Sequence, residues 1–308
     1  MILFNFNIRF FKQHPIRLYS EEFFNTITIL PPPDEQIVIA NYLDDKTTKI
    51  DTLIEKKKKL IELLKEERTA VINQAVTRGI NPNVKLKDSG IDWLGQIPEH
   101  WEVKKLKYVA NMLGGFAFQS SDFVSEGIQL IKIANLYQNE FKLERQPTFL
   151  PDDFKIKYKE WVVSQGDILI SMTGTLGKRD DGFAIRIEET ESYLLLNQRV
   201  SKIKIDESQL NPNLGLHILR SNYFLDQLFI LPSGTKQGNL SHEQICSINI
   251  SFPENLHEQL EIIKFIETET KKIDETISKI EKEIALLAEY RTALISEAVT
   301  GKIKIIDN

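Results

Sequence analysis

One stretch of this chain occurs twice. Glu35-Gln36 and Glu258-Gln259 open two segments that align without a gap at a constant offset of 223, as far as Thr77 and Thr300. Of 43 aligned pairs, 21 are identical, which is more than shared helix composition would produce. Lys49-Ile50-Asp51 returns as Lys272-Ile273-Asp274, and Arg68-Thr69-Ala70 as Arg291-Thr292-Ala293. Two copies are too few for a solenoid, where about three or more repeats share a core. The fold must instead set one domain between two copies of one element.

That element reads as a helix that packs on another helix. In the second copy Ile273, Ile277, Ile280, Ile284, Leu287, Arg291, Leu294 and Ala298 step alternately by four and three residues. This is a heptad seam. The first copy puts Ile50, Ile54, Lys57, Ile61, Leu64, Arg68, Val71 and Ala75 at the same positions. Aliphatic seam residues are read as packing. Charged ones are costly in a dry interface, so Lys57, Arg68 and Arg291 either set register or snorkel to its edge. From residue 46 to 77 the helix would be ~45 Å long at 1.5 Å per residue. Each copy is expected to begin in the same way, with a strand, a proline-rich turn, a short helix and then the long helix. The strands would be Ile27–Ile29 before Pro31-Pro32-Pro33, and Ile248–Ile250 before Phe252-Pro253.

Between the copies the character changes. Asn81-Pro82-Asn83 and Asp88-Ser89-Gly90 are linker and turn chemistry. Short β-rich runs follow at Ile128–Ile133, Trp161–Val163, Ile168–Ser171 and Val200–Ile205, with one helix expected over Leu214–Phe229. Gly114-Gly115 reads as a turn. The expected fold is α+β: one mixed α/β domain over 80–252, flanked by helical regions at 31–79 and 253–308 that pack as an antiparallel coiled coil. Residues 1–30 look like the remnant of a preceding domain.

Bulk properties narrow the functions. The net charge of −5 gives no general attraction to nucleic acid or to an anionic membrane. The single cysteine, Cys246, excludes an internal disulfide and suits a reduced, cytoplasmic setting. No apolar run approaches the ~20 residues of a membrane span, so no membrane partner is expected. The apolar start lacks the basic residues and small-residue cleavage site of a signal peptide.

Catalytic signatures fail one by one. Gly174-Thr175-Leu176-Gly177-Lys178 is too short for a phosphate loop, and Arg179 stands where Ser or Thr is needed. The five histidines, at 14, 100, 217, 242 and 257, have no metal-ligand spacing. They read as surface or locally bonded residues. Asp152-Asp153 and Asp180-Asp181 read as solvated loop charge.

The chain resembles the specificity subunit of type I restriction–modification systems. The resemblance rests on Pro31-Pro32-Pro33-Asp34-Glu35-Gln36, on Leu63-Leu64-Lys65-Glu66-Glu67-Arg68, and on the ending Ala298-Val299-Thr300-Gly301-Lys302-Ile303. In the middle segment Ile97-Pro98-Glu99-His100-Trp101, Gly166-Asp167-Ile168-Leu169-Ile170-Ser171, Leu196-Asn197-Gln198-Arg199-Val200 and Thr235-Lys236-Gln237-Gly238-Asn239-Leu240-Ser241 are similar to the family's target recognition domain. The resemblance implies a non-catalytic subunit that reads half of a split target in double-stranded DNA. It implies that the long helices set the spacing between halves and dock methyltransferase subunits, and through them a restriction subunit. Methyl donor, ATP and Mg would sit on those partners and no cofactor on this chain. A full-length member has two recognition domains, whereas this chain has one, so two chains are expected to pair through the helices as a homodimer. The competing readings are a coiled-coil adaptor indifferent to DNA, and a silent or antagonist cassette that holds methyltransferase without supporting recognition.

Between residues 80 and 250 the chain has 19 Lys+Arg against 21 Asp+Glu, so phosphate attraction must be local or come from partners. Base edges are read by Gln, Asn, Ser, Thr, Lys and Arg. The candidate DNA contacts are therefore Gln119 and Ser120 after the glycine pair, Thr173, Thr175, Lys178 and Arg179 after a strand, and Lys236, Gln237 and Asn239 in a loop. Lys132 and Asn135, at a strand end, complete the set. Asn197-Gln198-Arg199 abuts a strand, and it stays open between DNA contact and holding the fold together.

Overall fold

A computed structural model describes residues 30–175, 178–188, 193–231 and 237–305, and for Gln237 and Gly238 their backbone only. The expected remnant at 1–30 and the strand at Ile27–Ile29 lie outside these residues, apart from Leu30. The chain divides into two compact units, Met1–Leu60 with Lys279–Asn308, and Ile61–Ser278. Helix α1 (Pro33–Arg78) and the last helix, α6 (Leu256–Val299), each contribute to both.

Each copy of the repeat is one uninterrupted helix, without the separate short helix expected ahead of it. Proline tolerated at a first helical position and acidic Asp34 and Glu35 in the first turn let α1 begin at Pro33. Asn255 caps α6 by accepting from His257 N at 2.9 Å. Gly79 (φ 71°) follows the end of α1, and Gly301 (φ 70°) stands shortly after that of α6; both take the left-handed conformation that stops a helix.

In the first unit Arg291 grips Asp51 through two nitrogens, at 2.8 and 3.0 Å, and Lys57 meets Glu283 at 2.5 Å. In the second unit Arg68 donates to Asp274 at 3.0 Å. The seam residues of both helices are buried or half-buried, while the positions between them are mostly exposed.

The second unit also holds the sheets. Strands are β1 (Leu86–Asp88), β2 (Gln96–Pro98), β3 (Glu102–Lys105), β4 (Ala110–Gly114), β5 (Ile128–Ile131), β6 (Phe149–Leu150), β7 (Val162–Val163), β8 (Ile168–Ser171), β9 (Thr173–Thr175), β10 (Ala184–Arg186), β11 (Leu194–Leu196), β12 (Val200–Ile205), β13 (Gln237–Asn239) and β14 (Asn249–Phe252). One sheet runs β10-β8-β12-β4 and is antiparallel throughout. A second runs β6-β5-β11-β7, with β5 and β11 parallel. Three two-stranded ribbons pair β1 with β2, β3 with β14, and β9 with β13. Strand β8 is buried along its whole length, which explains its unbroken apolar run Ile168-Leu169-Ile170.

Short helices are α2 (Phe154–Lys157), α3 (Pro212–Leu219), α4 (Asn222–Phe229) and α5 (His242–Cys246). The single helix expected over Leu214–Phe229 is thus two. Ser221 is extended (ψ 152°), and its hydroxyl turns back to the Ile218 carbonyl at 2.6 Å, ending α3 and starting α4. The main core gathers Trp101, Ile168, Ile170, Ile203, Phe224, Ile250 and Phe252 around Ile262, Ile263 and Ile266 from the first turns of α6. Glu258 beside them accepts from the Trp101 indole at 2.9 Å and meets His100 at 2.9 Å. Gln259, fully buried, takes the amide of Asn211 at 2.7 Å and donates to the carbonyls of Gln209 and Pro253, each at 2.8 Å. The repeated Glu-Gln pair is therefore, in its second copy, a clasp between helix and domain.

Candidate nucleic-acid interface

Two of the predicted clusters meet. The segment Lys236–Asn239 was expected to be a loop, but Gln237–Asn239 forms β13 and pairs antiparallel with β9. Thr173 faces Asn239, Gly174 faces Gly238, and Thr175 faces Gln237. Leu240 N donates to the Met172 carbonyl at 2.9 Å and continues the pairing. Gly174 is needed here because a Cβ would stand 2.6 Å from an Asp180 carboxylate oxygen and 2.8 Å from Asp181 N. Lys236 lies outside the described residues.

Arg199 completes the cluster. Its Nη1 donates to Asn239 Oδ1 at 2.5 Å and to Thr173 Oγ1 at 3.3 Å. Thr173 Oγ1 in turn donates to Asn239 Oδ1 at 3.1 Å. Thr173, within the ribbon, is buried, whereas Arg199 and Asn239 are exposed. From sequence alone Arg199 is open between DNA contact and holding the fold together, because it directly precedes strand β12. In the sequence its signal is the family-like run Leu196-Asn197-Gln198-Arg199-Val200.

The turn after β9 is polar and mixed in charge. Thr175 N donates to Asp180, and Lys178 N closes a turn on the Thr175 carbonyl at 3.0 Å. Thr175 and Lys178 are exposed. Arg179 is exposed but engaged: Nη1 reaches Asp226 at 3.2 Å, and the guanidinium lies 5.1 Å above the Phe229 ring. Burial, and the neighbouring Asp180 charge, push the Asp181 carboxyl up from its ordinary value.

The other predicted residues divide. Gln119 and Ser120 are exposed at a 3-10 turn, closed by Gln119 N donating to Asp122 Oδ2 at 2.9 Å. Close in sequence to them, Phe116 and Phe118 join Tyr158 and Trp161 in a cluster of tilted and edge-on rings, with centroids 4.7 to 6.1 Å apart for the contacting pairs. Gly114-Gly115 is not a turn. Gly114 ends β4, and a Cβ there would lie 2.7 Å from His242 Cε1; a Cβ on Gly115 would lie 2.0 Å from the Asn197 carbonyl oxygen. Asn135 is a correction. It is 1% exposed, its Nδ2 donates to the Lys142 and Arg145 carbonyls at 2.8 and 2.9 Å, and its Oδ1 accepts from Lys132 N at 2.8 Å. An amide so buried and so fully bonded organises its loop and has nothing left for a base. Lys132 Nζ donates to Thr148 Oγ1 at 2.6 Å, and burial lowers its pKa.

His100 and His242 have hydrogen-bonding partners. His242 Nε2 lies 2.8 Å from Ser201 Oγ, and His217 is held neutral at a pKa of about 4 by burial and by Arg220 and Arg68. His14 lies outside the described residues. Among the described residues no group of three His, Cys, Asp or Glu could hold a metal ion. No helix among them is long and apolar enough to cross a membrane. Burial raises the Cys246 thiol pKa.

The fold so far is a mixed sheet domain with a polar ribbon, set in sequence between two copies of one long helix. The chain belongs to the family described as "Type I restriction modification DNA specificity domain", whose model matches residues 98–286. It is 31% identical over 289 residues to the type I restriction enzyme MjaVIII specificity subunit of Methanocaldococcus jannaschii, covering 93% of this chain and 64% of that protein. It is 23% identical to the EcoBI specificity subunit of Escherichia coli, covering 93% of this chain and 60% of that one. The chain thus spans less than two thirds of these relatives' length. In fold it is similar to a chain from a structure described as the basis of complex assembly and conformational transition of the type I R-M system, with TM-score 0.68, 16% identity and coverage of 92% of this chain and 63% of the other. The HsdS subunit of Thermoanaerobacter tengcongensis gives TM-score 0.55 and 15% identity, covering 95% of this chain and 64% of that one.

Proposed function

We propose that this chain is the non-catalytic, sequence-reading subunit of a type I restriction–modification complex in the cytoplasm, and that its recognition domain, residues 80–252, reads one half of a split DNA target. The observation that carries this is the β9–β13 ribbon. It joins segments more than sixty residues apart in sequence, and Thr175, Lys178, Arg199 and Asn239 on and beside it are exposed. Such side chains offer the donors and acceptors that base edges require. The Gln119–Ser120 turn is the second proposed contact. Because the domain has no excess of positive charge, partner subunits supply much of the phosphate attraction.

The helical regions 31–79 and 253–308 act as an antiparallel coiled coil that sets spacing and docks methyltransferase subunits. The reversed order of the pairs Asp51–Arg291 and Lys57–Glu283 supports this packing. Methyl donor, ATP and Mg belong to partner subunits, including the restriction subunit docked through the methyltransferase. Two chains pair to supply the second half-site.

The test is co-expression of the chain with its methyltransferase subunit, followed by sequencing of methylated sites. A gapped motif that disappears when Thr175, Lys178 and Arg199 are replaced together by alanine is expected. Methylation at an unchanged motif in that variant would overturn the assignment of the ribbon, and binding of methyltransferase with no DNA selectivity would favour an adaptor.

A further inference from the structure

The Asn239 amide is locked in one orientation. Arginine has no acceptor atom, so the Asn239 atom that meets Arg199 Nη1 at 2.5 Å must be its oxygen. The Thr173 hydroxyl accepts from the same Nη1 at 3.3 Å, which leaves its hydrogen to donate to the same oxygen at 3.1 Å. Two donors therefore converge on Oδ1. A flipped amide would set its NH2 hydrogens against the guanidinium. Among the described residues Nδ2 has no partner, and Asn239 is exposed.

We propose that Asn239 is a specificity-determining residue that reads its base by donation alone, with Arg199 as its positioning residue. Asparagine commonly reads adenine with both amide atoms, donating to N7 and accepting from N6. Here the oxygen is taken, so that bidentate pair is closed. What remains is a pair of hydrogens that suits an edge rich in acceptors, guanine N7 and O6 foremost, or thymine O4. Cytosine, which presents an N4 amino donor in the major groove, is refused. This inference rests on the reading of the ribbon as the DNA-facing surface.

The test uses the full chain co-expressed with its methyltransferase subunit, with methylated sites sequenced for each variant. Asn239→Asp keeps an oxygen for Arg199 and Thr173 and turns a second oxygen outward. At one target position the native guanine or thymine should lose about tenfold or more in preference, and cytosine should gain. Asn239→Ala should relax that position and leave the others unchanged. Arg199→Ala frees the amide to flip and should admit adenine at the same position, while Arg199→Lys should restore the native base. A motif unchanged in both Asn239 variants overturns the proposal, as does a native cytosine at the position that responds. If Thr175→Ala and Lys178→Ala alter the motif while the Asn239 variants do not, the ribbon faces DNA but Asn239 is not a reader. If none of the four alters it, the ribbon reading itself fails.

Discussion

At the residue scale, position and bonding decide which polar side chains are free to act. Asn135 and Asn239 are the same residue type, and both looked like readers in the sequence. One is buried with its amide fully bonded, and the other is exposed with only its oxygen held. No local pattern separates them, because the partners of Asn239 come from two other segments of the chain. The histidines differ among themselves. His100 and His242 have hydrogen-bonding neighbours, and His217 is half-buried beside Arg220 and Arg68. His217 yields a prediction with a definite sign. Its folded pKa of about 4 lies below the ordinary 6.5, so the unfolded chain binds a proton there first. Its contribution to stability is full above pH 6.5 and is lost as pH falls toward 4. His217→Gln should flatten that part of the stability–pH curve, measured by urea unfolding at pH 7 and pH 4.5. A slope equal to that of the unmodified chain would show that His217 does not carry it.

At the element scale the heptad seam was almost fully legible, since a stripe at four-and-three spacing leaves a helix little choice of face. The residues at which α1 begins were not legible, because continuation through Pro33 is decided by capping rather than by periodicity. The ribbon was hidden for another reason. Three-residue strands centred on glycine are indistinguishable from turns until a distant partner is present. The seam arginines proved to be edge residues, with Arg68 and Arg291 each bonded to an aspartate and partly exposed. Arg68–Asp274 and Asp51–Arg291 are the same pair under the repeat offset. Exposed pairs of this kind contribute about 0–1 kcal/mol, so Arg68→Ala alone should cost little. Arg68→Asp places like charges together and should cost more, and Asp274→Arg in the same chain should recover most of the loss. A double-mutant cycle by denaturant unfolding measures the coupling. The Glu258 clasp is different, because the Trp101 indole it serves is buried. Glu258→Ala leaves that N–H unsatisfied and should cost about 1–3 kcal/mol, whereas Glu258→Gln, which still accepts, should cost clearly less. Equal losses for the two variants would show that the carboxylate charge, rather than the hydrogen bond, matters.

At the scale of the whole molecule, the proposal of one recognition domain on two helices has a consequence for the target. Each mismatched base pair in a site costs about 1–3 kcal/mol, roughly additively for separated positions. A single half-site of a few base pairs therefore separates target from bulk DNA only weakly. Pairing of two identical chains adds the second half without any new contact type, and two-fold symmetry then dictates that the halves be identical and inverted. Co-purified with its methyltransferase subunit, the chain should sediment as an assembly containing two copies. On defined duplexes, scrambling one inverted half should weaken binding by about a hundredfold or more, because several base contacts are lost together. A one-copy assembly that binds both duplexes equally would sink the pairing proposal. Methylated motifs with two unlike halves would instead require a second, different specificity chain.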